Sequence, residues 1–141
     1  MASAVAWRLY MANIRRIFML EVPRPLAVRR KVSFCEAVYN ARQTVEDVPA
    51  VLAANADEAR TAWLQNRIAV LVDPDWQSIK DLQPDVVVDA TLAKQNLGTG
   101  ISEALLVIGL GPGFTAGRDV HTVIETNRGH NLGRVITAGT A

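Results

Sequence analysis

"ALLVIGLGPGFTAG", residues 104–117, decides how this chain is read. A nearly unbroken apolar run meets four glycines in nine residues: Gly109, Gly111, Gly113 and Gly117. Similar runs occur upstream, "IAVLV" at 68–72 and "VVV" at 86–88. Strands apolar on both faces suit a parallel sheet covered by helices on either side. The predicted fold class is therefore α/β, a Rossmann-like, mostly parallel sheet with flanking helices.

Working outward, the spacing of Val5, Leu9 and Ala12 predicts a helix over 3–12, with Ser3 as its cap. "RRIFMLEV" (15–22) reads as a strand stopped by Pro23, and "FCEAVYNA" (34–41) as a short helix. The stretch from 43 starts extended and turns helical from about Pro49, with Asn55 and Asp57 weakening its middle. Strands are predicted over 67–73, 85–92 and 104–110, with a short helix over 76–82. "DVHTVIET" (119–126) and "LGRVITAG" (132–139) read as two more strands or an irregular pair. A helix followed by a strand ending in Glu21 looks like the second half of a dinucleotide-type βαβ unit, in which that acid binds a ribose hydroxyl. The first strand and its glycine turn are absent from the pattern.

At 141 residues the chain is expected to form one domain, 1–141. Lys+Arg 15 against Asp+Glu 14 leaves a net charge of +1, without the cationic surplus of nonspecific nucleic-acid binding. No apolar run approaches the roughly 18 residues of a membrane span. The basic residues near the start lie inside the apolar pattern, unlike those of a secretory signal. One cysteine, Cys35, excludes an internal disulfide and a cysteine-rich metal site. These features predict a cytoplasmic protein that binds neither nucleic acid nor membrane and holds no metal. Open edges of a parallel sheet also invite a homodimer.

In open α/β sheets ligands bind beyond the carboxyl ends of the strands, so the polar residues there matter most. Glycine permits positive φ and lets backbone N–H groups approach an anion. Gly109, Gly111, Gly113, Phe114, Thr115 and Gly117 are thus candidates for holding a phosphate. The spacing is neither G-x-G-x-x-G nor a P-loop, and Pro112 removes a donor. A structural turn is the competing reading. "DATLAKQNLGTG" (89–100) follows another strand and offers Lys94 as a point charge, with Asn96 beside it. Its competing reading is a helix turn with a solvated lysine. Asp119 and His121 form a possible polar site, in which Asp119 would orient His121 for acid–base work, with Glu125 and His130 further along. Arg24, Arg29, Arg30 and Lys31 make a basic edge for a phosphate or an acidic partner. Cys35 reads as a buried thiol. No catalytic residue follows from these patterns.

Three strings, "RPLAVRRKVSFCEAVY", "PDVVVDATLAKQNLGT" and "VIGLGPGFTAGRDVHTVIETNRGHNLGRVI", resemble the accessory proteins of the selenium-dependent molybdenum hydroxylase system. That family is related to the xanthine dehydrogenase accessory (maturation) proteins. The resemblance runs from about residue 3 to 139 and implies a Rossmann-like region. It also implies a maturation role for a molybdenum hydroxylase apoenzyme, by handling molybdopterin or its labile chalcogen ligand. Members carry a strand and a "GGGD"-like turn before the first helix. After "GRVI" they continue into a β-rich region similar to a biotinyl/lipoyl-type domain. By the resemblance this chain corresponds to the front portion of a member. On that reading, molybdopterin or a nucleotide would set its phosphate on Gly109 to Gly117, with Lys94 or Arg29 and Arg30 as counter-charge. Two alternatives are a nucleotide-dependent sulfur or selenium transferase using Cys35 as carrier, and an interaction domain that docks the hydroxylase through its basic edge.

Overall fold

The computed structural model describes all residues, 1–141. The chain divides into two compact units, Ala2–Leu82 and Gln83–Ala141. The mostly parallel α/β architecture stands, but where the sequence suggests one sheet the strands fall into two four-stranded sheets, each with its own core, and a two-stranded ribbon. The run of apolar strands is the same either way, because hydropathy marks a buried strand without saying which sheet it joins.

In the first unit, α1 (Ala2–Met11) leads to β1 (Phe18–Glu21). A short helix α2 (Ala37–Asn40) then precedes a hairpin of β2 (Arg42–Val45) and β3 (Val48–Leu52). Helix α3 (Ala56–Leu64), strand β4 (Ile68–Val72) and helix α4 (Ser78–Leu82) complete the unit. The sheet order is β1-β4-β3-β2, parallel except for β2. Alternation puts Met19, Ala50, Ile68 and Val70 into a core with Ala6, Tyr10 and Phe34 on one face of the sheet. Ala69 and Leu71 meet Ala59 and Ala62 of α3 on the other.

Three local expectations are corrected here. Pro49 lies in β3 opposite Thr44 and does not start a helix. Glu46 and Asp47 both have positive φ (46° and 68°), which closes a two-residue hairpin loop and keeps the chain extended past the proline. Asn55 does not weaken α3 but caps it: its Oδ1 accepts the Glu58 N–H at 3.0 Å, and Glu58 accepts the Ala54 N–H at 2.8 Å. Ser3 is not a cap, because α1 already begins at Ala2; its hydroxyl accepts the Phe34 N–H at 3.0 Å.

In the second unit, β5 (Val86–Asp89) and β6 (Leu106–Leu110) run parallel. After a two-residue strand β7 (Thr115–Ala116) comes β8 (Thr122–Ile124), parallel to β6. Strand β9 (Val135–Ile136) closes the sheet antiparallel, in the order β5-β6-β8-β9. β10 (Gly139–Thr140) pairs with β7. No α-helix occurs in this unit, so the crossovers between its parallel strands are loops and a single 3₁₀ turn at Ile101–Glu103. Val107, Val120, Val123, Phe114 and Ala116 form its core. No helix of the chain is long and apolar enough to cross a membrane.

Candidate functional site

The parallel strands β5, β6 and β8 all point their carboxyl ends at one edge of the second sheet, and three loops leave from it. The loop after β5 is built on Asp89 and Asn96. Buried Asp89 accepts the Thr91 N–H (2.9 Å) and hydroxyl (2.7 Å) on Oδ1, and the Thr99 hydroxyl (2.5 Å) on Oδ2. Asn96 Oδ1 accepts the N–H groups of Gly98 and Thr99, both at 2.9 Å, while Nδ2 donates to the Thr99 carbonyl at 2.8 Å. The segment is thus an ordered loop and not a helix turn, and Asn96, expected to contact a ligand, is committed to shaping it. Lys94 at its crest is exposed and in no ion pair.

The loop after β6 holds the glycines, and each is required for a different reason. At Gly109 a Cβ would lie 2.5 Å from the Phe114 ring, which folds back under the strand. At Gly111 (φ +82°) it would lie 2.6 Å from Thr126 Oγ1, on the loop after β8. At Gly113 (φ +102°) it would lie 2.8–2.9 Å from the N, Cα and C atoms of Gln95. Gly117 (φ +85°) needs glycine for its backbone conformation alone, since the space beside it is open. Two of these contacts join loops: Gly113 bears the backbone of the Lys94 loop, and Gly111 bears the loop after β8. The sequence-predicted set Lys94, Asn96, Gly111 and Gly113 is therefore brought together in space.

Most of the donors expected to cradle an anion are occupied. Gly109 and Leu110 pair within the sheet. The Gly111 N–H reaches Ile124 O at 2.9 Å, and the Gly117 N–H reaches Val120 O at 2.8 Å. The Thr115 N–H is taken by Asp119 Oδ2 at 2.8 Å, a carboxylate supplied by the loop itself. Pro112 and Gly113 form a turn that carries Phe114 inward. Phe114, 1% exposed, is a core residue and not a ligand contact. The N–H of exposed Gly113 makes no hydrogen bond within the chain. The nine-residue cradle of the sequence reading thus narrows to the turn at Gly113, with Lys94 beside it.

Asp119 and His121 do not work as a pair. Asp119 is held by the Thr115 N–H and by Arg118 at 3.0 and 3.1 Å. The Arg118 guanidinium first, and then the Thr115 backbone, hold its carboxyl below the usual range. His121 instead accepts the Val107 N–H on Nδ1 at 2.9 Å, while its own N–H donates to Val107 O at 2.9 Å. The ring lengthens the β6–β8 ladder by one rung, with its proton on Nε2. Glu125 accepts the Asn127 N–H at 2.7 Å and His130 is exposed. No three His, Cys, Asp or Glu side chains come together to hold a metal.

In the first unit, Arg30 binds buried Glu36 at 2.9 Å and lies 5.5 Å from the centre of the Tyr39 ring. Arg24, Arg29 and Lys31 are exposed. Cys35 is 4% exposed, with Sγ 2.9 Å from the Ser33 hydroxyl. Burial pushes its thiol up despite that hydroxyl, which disfavours the thiolate needed to carry sulfur or selenium. Burial likewise pushes up the Glu21 carboxyl at the end of β1. Asp73, after β4, is committed to the Ser78 N–H at 2.6 Å. A separate open cleft is lined by Asn55, Ala56, Asp57, Arg60 and Asp81, none of them a predicted site residue. Its one cation, Arg60, is engaged by Asp57 and by the Asp81 carbonyl.

The chain is similar to the uncharacterized protein YqeB of Escherichia coli (strain K12). The two are 51% identical over 140 residues, which is 99% of this chain and 26% of YqeB. The chain thus spans about a quarter of the length of the curated relative it matches. No family model and no solved structure matches it. The sequence did not single out Thr126 or Gln95 as partners of the glycines; glycine spacing tells where a Cβ is excluded but not by what.

Proposed function

We propose that the chain acts in the cytoplasm as an accessory protein in maturation of a selenium-dependent molybdenum hydroxylase. It holds a phosphorylated cofactor, molybdopterin, at the carboxyl edge of the second sheet. The observation that carries this reading is the meeting of two loops: the Gln95 backbone rests on Gly113, so unpaired Lys94 stands beside the one turn with an N–H group to spare. The donor set suits an anion, since an ammonium and a backbone N–H are both ligands for phosphate oxygen. The two loops also carry two of the three strings that resemble the accessory family. Molybdopterin, when bound, supplies the metal-binding chemistry. The chain's own residues bind and orient it: Lys94 neutralises its phosphate, Gly113 fixes the position, and the Asp89–Thr99–Asn96 network keeps the Lys94 loop in place.

The test is complementation. Lys94→Gln and Gly113→Val, produced at the level of the native protein, should each abolish maturation of the hydroxylase apoenzyme. Full hydroxylase activity with both variants would refute the reading.

A second reading, docking of the apoenzyme, is favoured by one observation in the first unit. Leu26 (98%) and Val28 (104%) stand fully exposed among Arg24, Arg29 and Lys31. The segment is anchored by Tyr39, whose hydroxyl donates to Pro25 O at 2.7 Å. Loss of apoenzyme binding in Leu26→Asp with Val28→Asp, alongside unchanged cofactor binding, would distinguish this reading from the first.

A further inference from the structure

We infer that the seat at Gly113 and Lys94 takes a single phosphoryl group, a phosphomonoester, and does not accept the diphosphate of a nucleotide or of a dinucleotide-linked cofactor. This rests on the anion-binding reading above and narrows its ligand class.

The argument is a count of donors. From Gly109 to Asp119 the backbone offers N–H groups everywhere except Pro112. Sheet pairing takes those of Gly109 and Leu110. Within the chain Ile124 O takes that of Gly111, Asp119 Oδ2 that of Thr115, and Val120 O that of Gly117. Thr115 O takes those of Arg118 and Asp119 at 3.2 and 2.9 Å. Ala116 belongs to the β7–β10 pair. Phe114 is buried in the core, so the N–H of exposed Gly113 is the one left. A diphosphate-binding loop presents a longer succession of free N–H groups, as a rule at a helix N-terminus. Here the loop runs into β7, and the unit has no α-helix.

Charge points the same way. Lys94 is the unpaired cation of the two joined loops. Arg118, the cation of the glycine loop, is matched by Asp119 at 3.0 Å. Asp119 itself stands on the Thr115 N–H, two residues along the chain from the free Gly113 group, where a second phosphoryl group would extend. A diphosphate would meet that carboxylate, and the neighbouring Arg118 is already engaged by it. One phosphoryl group meets an ammonium and the Gly113 N–H and stops short of it.

The test uses the full chain at pH 7.5 in 150 mM salt. Backbone amide shifts of Gly113, Phe114 and Gln95 are followed by NMR during titration with phenyl phosphate, pyrophosphate and ADP. The expected result is that phenyl phosphate shifts these amides and that pyrophosphate and ADP do so only at concentrations at least tenfold higher. Lys94→Gln, an exposed substitution that leaves the fold intact, should weaken it about tenfold or more, the loss of one charge-assisted contact. Pyrophosphate or ADP binding at the same amides within tenfold of phenyl phosphate, or tighter, would overturn the single-phosphoryl inference while leaving the anion seat standing. If none of the three moves those amides, both the inference and the anion reading fall.

Discussion

The joint between Gly113 and Gln95 makes a quantitative claim that a pair of alanine substitutions can test. Gly117 and Gly113 both have left-handed φ, +85° and +102°, so alanine is strained at either, by about 1–2 kcal/mol. At Gly117 nothing lies within 4 Å of the added Cβ, so strain is the whole cost. At Gly113 the Cβ would meet backbone atoms of Gln95 at 2.8–2.9 Å. Backbone cannot rotate aside as a side chain can, so overpacking adds about 1–3 kcal/mol. Gly113→Ala should therefore cost about 2–5 kcal/mol and Gly117→Ala about 1–2 kcal/mol. Tryptophan fluorescence would miss the difference, because Trp7, Trp63 and Trp76 all lie in the first unit. Hydrogen exchange of the Val107 amide, buried in the second core, reads it directly. Each 1.4 kcal/mol is tenfold in exchange, so protection should fall about 30- to 3,000-fold for Gly113→Ala and about 5- to 30-fold for Gly117→Ala. Equal losses for the two would mean that the Lys94 loop does not rest on Gly113, and the site would lose its basis.

Four other predictions follow from the same contacts. Burial first, and then the nearby Asp89 charge, raise the Glu103 carboxyl in the folded chain. A raised acid stabilises the fold below its unfolded pKa and loses that contribution as pH rises through the folded one, so Glu103→Gln should raise the melting temperature at pH 7 and gain nothing near about pH 4; a pH-independent effect would contradict this. His121→Phe leaves the Val107 N–H without its Nδ1 acceptor and should cost about 1–3 kcal/mol in chemical denaturation, with faster exchange at Val107. Asn55→Ala removes the α3 cap and should cost about 1 kcal/mol, read by fluorescence of Trp63 on that helix. Cys35 should react with iodoacetamide far more slowly in the native chain than in urea; equal rates would show a thiol open enough to serve as a carrier.

The strands were legible because their signal is local. "IAVLV", "VVV" and "LLVI" can be seen in a window of five residues, and all three became strands of parallel sheets. The hairpin at Glu46–Asp47 was not legible, because two acidic residues at positive φ lack the Asn-Gly or Asp-Gly pattern that announces such a turn. Pro49 misled for a related reason. It ordinarily marks the first turn of a helix, yet it is also tolerated near the start of a strand. The division into separate sheets could not be read either, since it depends on which strands pair, and pairing is a long-range choice that hydropathy leaves open.

The candidate site shows the same limit in sharper form. Gly109, Gly111, Gly113 and Gly117 look alike in sequence, and all suggested exposed N–H groups. In the structure Gly109 makes room for a phenyl ring, Gly111 for a threonine hydroxyl and Gly113 for another loop's backbone. The number of glycines therefore overstates the capacity to bind an anion, and donor occupancy corrects it. Asp119 makes the point most directly. Beside a histidine it suggested acid–base work, but its carboxylate sits on the Thr115 N–H, so the loop supplies part of its own anion. What remains for a ligand is set by the donors this internal carboxylate leaves free. For that reason Asp119→Asn is an informative perturbation of the seat. It removes a negative charge near the free Gly113 N–H while leaving an amide oxygen to accept the Thr115 N–H. If Asp119 is what limits the seat to one phosphoryl group, pyrophosphate should gain more from the substitution than phenyl phosphate does. An equal gain for both would assign the charge a general electrostatic role and leave the limit to donor number alone.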